Sequence, residues 1–413
     1  MHCKERGGQH SHRDKVTSFK TLEPLLPPGC PGMGNGGRLT LNDWLLNLST
    51  LLYVVSLLGV APYLPRYAIS LGASELEVSM LATSYAITAV ALRFAVGGLN
   101  DRGYAGVLMV LGGLLNALSL TLYSISESLS MLYAGRLLQG VSVALFIPAS
   151  LYSASVTGAR AQRVIVWRST MWGLGSVLGP AVLGLTLQRL SWQPMFYLAA
   201  ATSALSALLA IQFKPERFEA GDGGSILTRP FVLASLTLLT YVIAYQSLTY
   251  FLPSLHEVEG LPTAETAAFF TVMALANLAS RTALSIAGEF NPGNTALAGV
   301  VASIAGYTIV TLRPEGLEAL VAATLVGLGL GLLFPSLQVI SLLGVPRQRR
   351  GMASSIYTAM FDIGALVGPP TVIAIAGGYR ESLALSTLIT ITTLIPITLL
   401  KTTGKPRGQE PQP

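Results

Sequence analysis

From Trp44 to Leu400 the chain is a succession of apolar runs, each about 20 residues long, separated by short polar breaks. As helices rising ~1.5 Å per residue, such runs cross a hydrocarbon layer of roughly 30 Å. The pattern predicts about twelve transmembrane helices, so the expected fold class is an all-α membrane protein. The first six are expected over 43–69, 76–99, 104–124, 129–156, 164–187 and 192–213. The second six are expected over 230–254, 263–287, 294–312, 316–343, 350–376 and 380–401. The polar, glycine-containing interval 214–229 divides them and reads as a flexible cytoplasmic linker. Residues 1–40 are polar and rich in Gly and Pro, and read as a disordered tail; 402–413 form a second one. The expected units are therefore a bundle over 41–213 and another over 230–401.

The two halves repeat one another. Tyr63-Leu64-Pro65 returns as Phe251-Leu252-Pro253, Arg93 as Arg281 and Asp101 as Glu289, all at one and the same offset along the chain. Gly175 to Pro180 (GSVLGP) returns as Gly364 to Pro369 (GALVGP), at an offset one position longer. Agreement at Pro, Arg and acid positions under one offset points to two similar six-helix halves, an arrangement common among secondary transporters.

Charge then fixes an orientation. Only 11% of residues are charged, against roughly 25% in a soluble domain. With both ends inside, the cytoplasmic loops receive Arg102, Arg160, Arg163, Arg347, Arg349 and Arg350, while Glu127, Glu257, Glu259 and Glu315 fall outside. Lys and Arg of short loops stay cytoplasmic, so both termini are expected inside, in a multi-pass protein of the cell membrane. The net charge of +6 then serves lipid headgroups and calls for no nucleic acid. Cys3, Cys30, His2, His10 and His12 all stand in the N-terminal tail without paired ligand spacing, so no metal and no cofactor are expected. Met33 is an alternative start. No phosphate loop and no Ser–His–acid set stands in the core, which argues against ATP-driven transport and against an enzyme.

Four elements carry a family resemblance. Gly97 to Gly106 (GGLNDRGYAG) resembles the loop signature G-x-L-x-D-R-x-G-R-[KR] of the major facilitator superfamily. Gly97, Leu99, Asp101 and Arg102 match it, and Tyr104, Ala105 and Gly106 depart from it. Arg136 to Ala144 (RLLQGVSVA) resembles the family's R-x-x-Q-G-x-x-x-A. Gly175, Gly179 and Pro180, followed by Gly184, resemble the antiporter signature G-x-x-x-G-P-x-x-G-G, with Leu183 replacing one Gly. Gly59 to Pro65 is similar to the P-x-x-P ending of the first helix in the same exporter group. The resemblance implies two bundles around a central cavity, alternating access, and proton-coupled efflux of a small organic solute by what is expected to be a monomer. Uptake or facilitated diffusion of a sugar or organic acid, or a sensor on the same fold, remain as alternatives.

Charges inside the spans are the candidate chemistry, because each is costly there. Asp362 lies about twelve residues, or ~18 Å, into its helix and away from any interface. It is the proton-coupling candidate, with Arg136 as leading charge partner and Arg281 as another. Arg93, Arg281, Asp101, Arg102, Glu289 and Gly97 are expected to form the cytoplasmic gate. Arg168, beside Trp167, reads as a surface anchor. Gly175, Gly179 and Pro180, with their counterparts Gly364, Gly368 and Pro369, are expected to permit close helix crossing. Cavity-lining candidates in the first half are Tyr53, Tyr85, Gln139 and Trp172. Those in the second are Tyr245, Gln246, Asn277, Gln338 and Tyr357. Aromatics with a few polar groups suit an amphipathic organic solute.

Overall fold

The computed structural model describes residues 38–213 and 224–402. The tail with its Cys and His residues, Met33, most of the linker and the last residues lie outside the described residues. The first half contains α1 (Leu41–Val60), α2 (Leu64–Ser70), α3 (Glu75–Asp101), α4 (Ala105–Ser124), α5 (Leu129–Ser155), α6 (Ala161–Arg189) and α7 (Trp192–Gln212). The second contains α8 (Arg229–Val258), α9 (Thr263–Ala287), α10 (Pro292–Leu312), α11 (Gly316–Leu343), α12 (Arg350–Ala376), α13 (Tyr379–Thr392) and α14 (Leu394–Thr402). Among the described residues there is no strand. By length and composition, 11 helical segments there can cross a membrane, and α3, 27 residues long, packs among them.

Two spans expected to be single helices are broken, and proline accounts for both. The first turns over Ala61 to Tyr63, at Pro62, before α2 begins with Pro65 in its first turn. The last breaks at Thr393, because Pro396 has no N–H to return to the carbonyl of Thr392 and its ring crowds that turn.

Helix starts are set by local chemistry. Thr40 Oγ1 accepts from Asp43 N at 3.2 Å while Asp43 Oδ2 accepts from Thr40 N at 2.8 Å, a reciprocal cap on α1. The same carboxylate accepts from Arg160 Nε at 3.0 Å, which pins the start of α1 to the start of α6.

Packing repeats between the halves. In the first, α1 lies on α6 and α7, and α4 lies on α5 and α7; in the second, α8 lies on α12 and α13, and α10 on α11 and α13. The motif glycines sit at these crossings. A Cβ on Gly179 would stand 2.6 Å from the carbonyl oxygen of Val55 on α1, and one on Gly368 2.9 Å from the Cα of Ile243 on α8. Such approach is open only to a residue without a side chain. The halves meet mainly where α3 packs on α12 and where α9 packs on α6, with α5 on α12 and α11 on α6 beside them. Under the repeat offset these contacts exchange with one another.

Candidate functional site

The polar contacts between the halves lie between mid-helix and the face that carries the 213–224 connection, called here the linker face. At mid-helix, Arg93 of α3 reaches Asp362 of α12. Its Nε and Nη2 donate to Asp362 Oδ2 at 3.1 and 2.5 Å, and Nη1 donates to Thr358 Oγ1 at 2.9 Å. Arg93 is 1% exposed and the Asp362 side chain 11%. On the matching junction Arg281 of α9 donates through Nη1 to the backbone oxygen of Ser169 at 2.9 Å and to its Oγ at 2.7 Å. Its Nε donates to Asn277 Oδ1 at 2.8 Å, and its guanidinium carbon lies 5.7 Å from the centre of the Phe334 ring.

Nearer the linker face the two junctions are closed by backbone contacts. Asp101 accepts from the N–H groups of Gly351 at 2.6 Å and Met352 at 3.2 Å. An acid at that place also meets the positive end of the α12 dipole. Arg350 donates to the backbone oxygen of Ser155, and Ser354 Oγ to that of Pro148 at 3.0 Å. Across the other junction Gln162 Nε2 donates to the backbone oxygen of Phe290 at 3.0 Å, and the hydroxyls of Thr170 and Ser285 lie 2.6 Å apart. Toward the opposite face the polar contacts stay within a half, as in Tyr67 to Ser126, His256 to Pro314 and Arg380 to Glu259. The halves are closed on the linker face.

Several expectations need correction. Arg136 is not the partner of Asp362. It lies on α5, whose hydrogen bonds to α12 are at Pro148 and Ser155, at least twelve residues or ~18 Å farther along. Arg136 instead donates to Gln139 Oε1 at 2.8 Å and stands 5.3 Å from the centre of the Tyr85 ring. Arg93 takes the role because its helix is the one seated on α12. Gln139 does not line a cavity: it also donates to Asn116 Oδ1 and accepts from Tyr123, inside the first bundle. Tyr53, 0% exposed, stacks on Phe146 at 3.8 Å and shares a hydrogen bond with Ser142. Arg168 is no surface anchor, since it is buried and donates to Ser150 Oγ and the oxygen of Ile147. Glu289 and Arg102 are exposed, and Glu289 makes no ion pair among the described residues.

Of the remaining cavity candidates, Tyr85 lies against the Arg136 guanidinium and Asn277 accepts from Arg281. Tyr85, Trp172, Tyr245, Gln246, Asn277 and Gln338 are half-buried. Tyr357 is buried, and its hydroxyl has no hydrogen-bond partner. Thr358 and Ser169, the hydroxyls that accept from Arg93 and Arg281, were missed by sequence reasoning. The signal was present, because they are separated by the same offset as Pro369 and Pro180, one turn before Asp362 and Gly173. Among the described residues no group of His, Cys, Asp and Glu is placed to hold a metal ion.

The arrangement matches known proteins at three levels. The E. coli fucose:proton symporter FucP superposes with a TM-score of 0.71 at 16% identity, covering 89% of this chain and 98% of that one. The multidrug efflux protein YfmO of Bacillus subtilis is 33% identical over 166 residues, 39% of this chain and 41% of that protein. Multidrug resistance protein 1 of the same organism is 28% identical over 184 residues, 44% of this chain and 46% of that protein. The chain thus spans less than half the length of these two relatives in the matched regions. The sequence pattern of one family covers residues 46–369 and matches again over 286–413, and together with the fold and the repeat this shows that the chain belongs to the Major Facilitator Superfamily.

Proposed function

We propose that this chain is a proton-coupled exporter of a small organic solute, working by alternating access with both termini and the linker in the cytoplasm. The observation that carries the reading is the Arg93–Asp362 pair, which joins the halves at mid-helix above the closed linker face. A proton on Asp362 removes the charge that Arg93 grips. The junction of α3 with α12 then keeps only neutral contacts at that level, and a charge-assisted bond is roughly twice as strong as a neutral one. The linker face can part, and losing the proton to the other side restores the pair. Solute export in exchange for protons follows if the opened state favours solute from the linker side. The names of YfmO and multidrug resistance protein 1 support efflux. The excess of Arg on linker-face loops, Arg102, Arg160, Arg347 and Arg349 among them, supports the orientation.

The test is transport by purified protein in proteoliposomes, with an imposed pH gradient. Asp362→Asn is expected to abolish gradient-driven solute movement, while exchange at equal pH persists. Concentrative, proton-driven uptake by that variant would sink the assignment. Labelling of a single Cys at Glu219 from outside intact cells would sink the orientation.

A further inference from the structure

The two arginine junctions are related by the repeat, residue for residue, except at one place. Arg93 and Arg281 are separated by the offset that relates Pro65 to Pro253. Their hydroxyl acceptors, Ser169 on α6 and Thr358 on α12, are separated by the offset that relates Pro180 to Pro369 on the same two helices. They receive the same Nη1 donor, at 2.7 Å from Arg281 and 2.9 Å from Arg93. The same step back from Asp362 lands on Gly173. The geometry agrees with this alignment, for a Cβ on Gly173 would stand 3.2 Å from Cδ of Arg281 and 3.7 Å from its Nε. Arg281 therefore lies over Gly173 as Arg93 lies against Asp362, and the carboxylate is missing.

Nothing nearby replaces it. Arg281 is 5% exposed, and its hydrogen bonds go to Asn277 Oδ1 and to the oxygens of Ser169, all uncharged. Its Nη2 makes no hydrogen bond among the described residues. The next charge is another guanidinium, that of Arg168, whose acceptors are likewise neutral. More than one turn from a helix end, the described spans carry Arg93, Arg136, Arg168 and Arg281 against one carboxylate, Asp362. A buried charge without a counter-charge is costly, and such groups inside membrane proteins mark ion or substrate paths. A second observation points to a ligand at this spot. The Tyr357 hydroxyl, within the field of Arg281, is buried at 2% exposure and has no hydrogen-bond partner; the Tyr307 hydroxyl and the Asn47 and Asn100 amides are also unpartnered, but none of them is shown beside an uncompensated charge.

We propose that the Arg281 guanidinium, on the side of its Nη2, is the seat of a carboxylate carried by the transported organic solute. The solute supplies the anion that the repeat lacks, Arg281 Nη2 donates to it, and the Tyr357 hydroxyl donates a second bond. The Phe334 ring, already under the guanidinium, offers the apolar wall for the body of the molecule. The proposal rests on the reading of the chain as a solute transporter, but its test needs no transport.

The full chain, purified in detergent, is heated with benzoate, salicylate and cholate, each beside its uncharged amide. Inorganic phosphate and tetraphenylphosphonium are included as other charges. Binding to the folded state raises the melting temperature. We expect at least one acid to do so while its amide does not, and we expect Gly173→Asp and Arg281→Gln each to weaken that binding about tenfold or more. Without ligand, Gly173→Asp should melt above Gly173→Asn, because only the acid pairs with Arg281. If Gly173→Asp fails to fold, Arg281→Gln removes the charge without adding volume and carries the binding test. The proposal is overturned if no acid is distinguished from its amide, or if the shift survives both substitutions. It is equally overturned if phosphate alone binds, if tetraphenylphosphonium is the probe that Arg281→Gln abolishes, or if Gly173→Asp melts no higher than Gly173→Asn. Loss of proton-driven flux in Asp362→Asn bears only on coupling, and loss of acid binding with flux intact bears only on the solute.

Discussion

The crossing of α3 with α12 and that of α9 with α6 are copies of one junction, closed by different means. On the α3 side the tie is ionic at mid-helix, between Arg93 and Asp362, and is followed by bare contact. Gly97 presses so closely that a Cβ there would stand 2.8 Å from Met352 Sδ and 2.9 Å from its Cα. On the α9 side the same arginine meets only neutral oxygens, and the position of Gly97 is taken by Ser285, whose hydroxyl pairs with Thr170. An ionic tie can be switched by one proton, whereas a chain of neutral hydrogen bonds has no such handle within the working pH range. Under the proposed function the difference gives one task to each crossing: the first responds to protons, and the second carries a charge that responds to solute.

Breaking the tight contact should have the largest effect. Gly97→Leu forces a branched side chain into the backbone of α12, so the closed linker face is expected to lose ~3 kcal/mol or more. Measured as thiol accessibility, a Cys at Ser155 should label from the linker side much faster in Gly97→Leu than in the parent. The counterpart Ser285→Ala removes one hydroxyl and should accelerate labelling of a Cys at Phe290 only slightly. Equal effects would mean that the two crossings close alike.

A smaller effect is expected at the linker-face acids. Asp101 accepts two backbone N–H bonds at the start of α12, while its repeat partner Glu289 is exposed and forms no ion pair among the described residues. Asp101→Asn should cost about 1–2 kcal/mol, through the loss of charge at a helix N-terminus and of one acceptor oxygen. Glu289→Gln should stay within about 0.5 kcal/mol of the parent. Melting temperature in detergent checks both, and a Glu289→Gln loss as large as that of Asp101→Asn would show that the exposed acid has a partner in another state.

Much of this was legible in the chain. The spans, the division into halves and the repeat follow from apolar run length and from Pro, Arg and Gly recurring at one offset. The partner of Asp362 was not, because depth along a helix admits Arg93, Arg136 and Arg281 alike. Which one meets the acid depends on how the bundles are rotated against each other, and no periodicity within a single helix encodes that. Tyr53 and Gln139 misled for a related reason. A polar side chain on an apolar helix looks like cavity lining until Ser142, Asn116 and Tyr123, on neighbouring helices, turn out to satisfy it. The equivalence of Asp362 with Gly173 was available from the repeat offset alone, but it acquires meaning only once Arg281 is seen lying over that glycine.

The finest comparison is between Tyr53 and Tyr241, repeat partners that are both fully buried. Each hydroxyl meets a serine, Ser142 at 2.7 Å and Ser303 at 2.8 Å, and each ring meets a repeat-related phenylalanine, Phe146 or Phe334. The serines differ in what remains when the tyrosine hydroxyl is removed. Ser142 also donates to the carbonyl of Gly112 at 2.7 Å, so Tyr53→Phe leaves its proton bonded. Ser303 has no second partner among the described residues, so Tyr241→Phe strands a buried hydroxyl. Leaving a buried group unsatisfied costs more than exchanging one bond. Tyr53→Phe is therefore expected to lower stability by about 0.5 kcal/mol and Tyr241→Phe by about 1–2 kcal/mol. Adding Ser303→Ala to Tyr241→Phe should recover part of the loss, whereas adding Ser142→Ala to Tyr53→Phe should deepen it. Melting curves of the four variants decide the matter, and recovery in the first half instead of the second would mean that the serine roles are reversed.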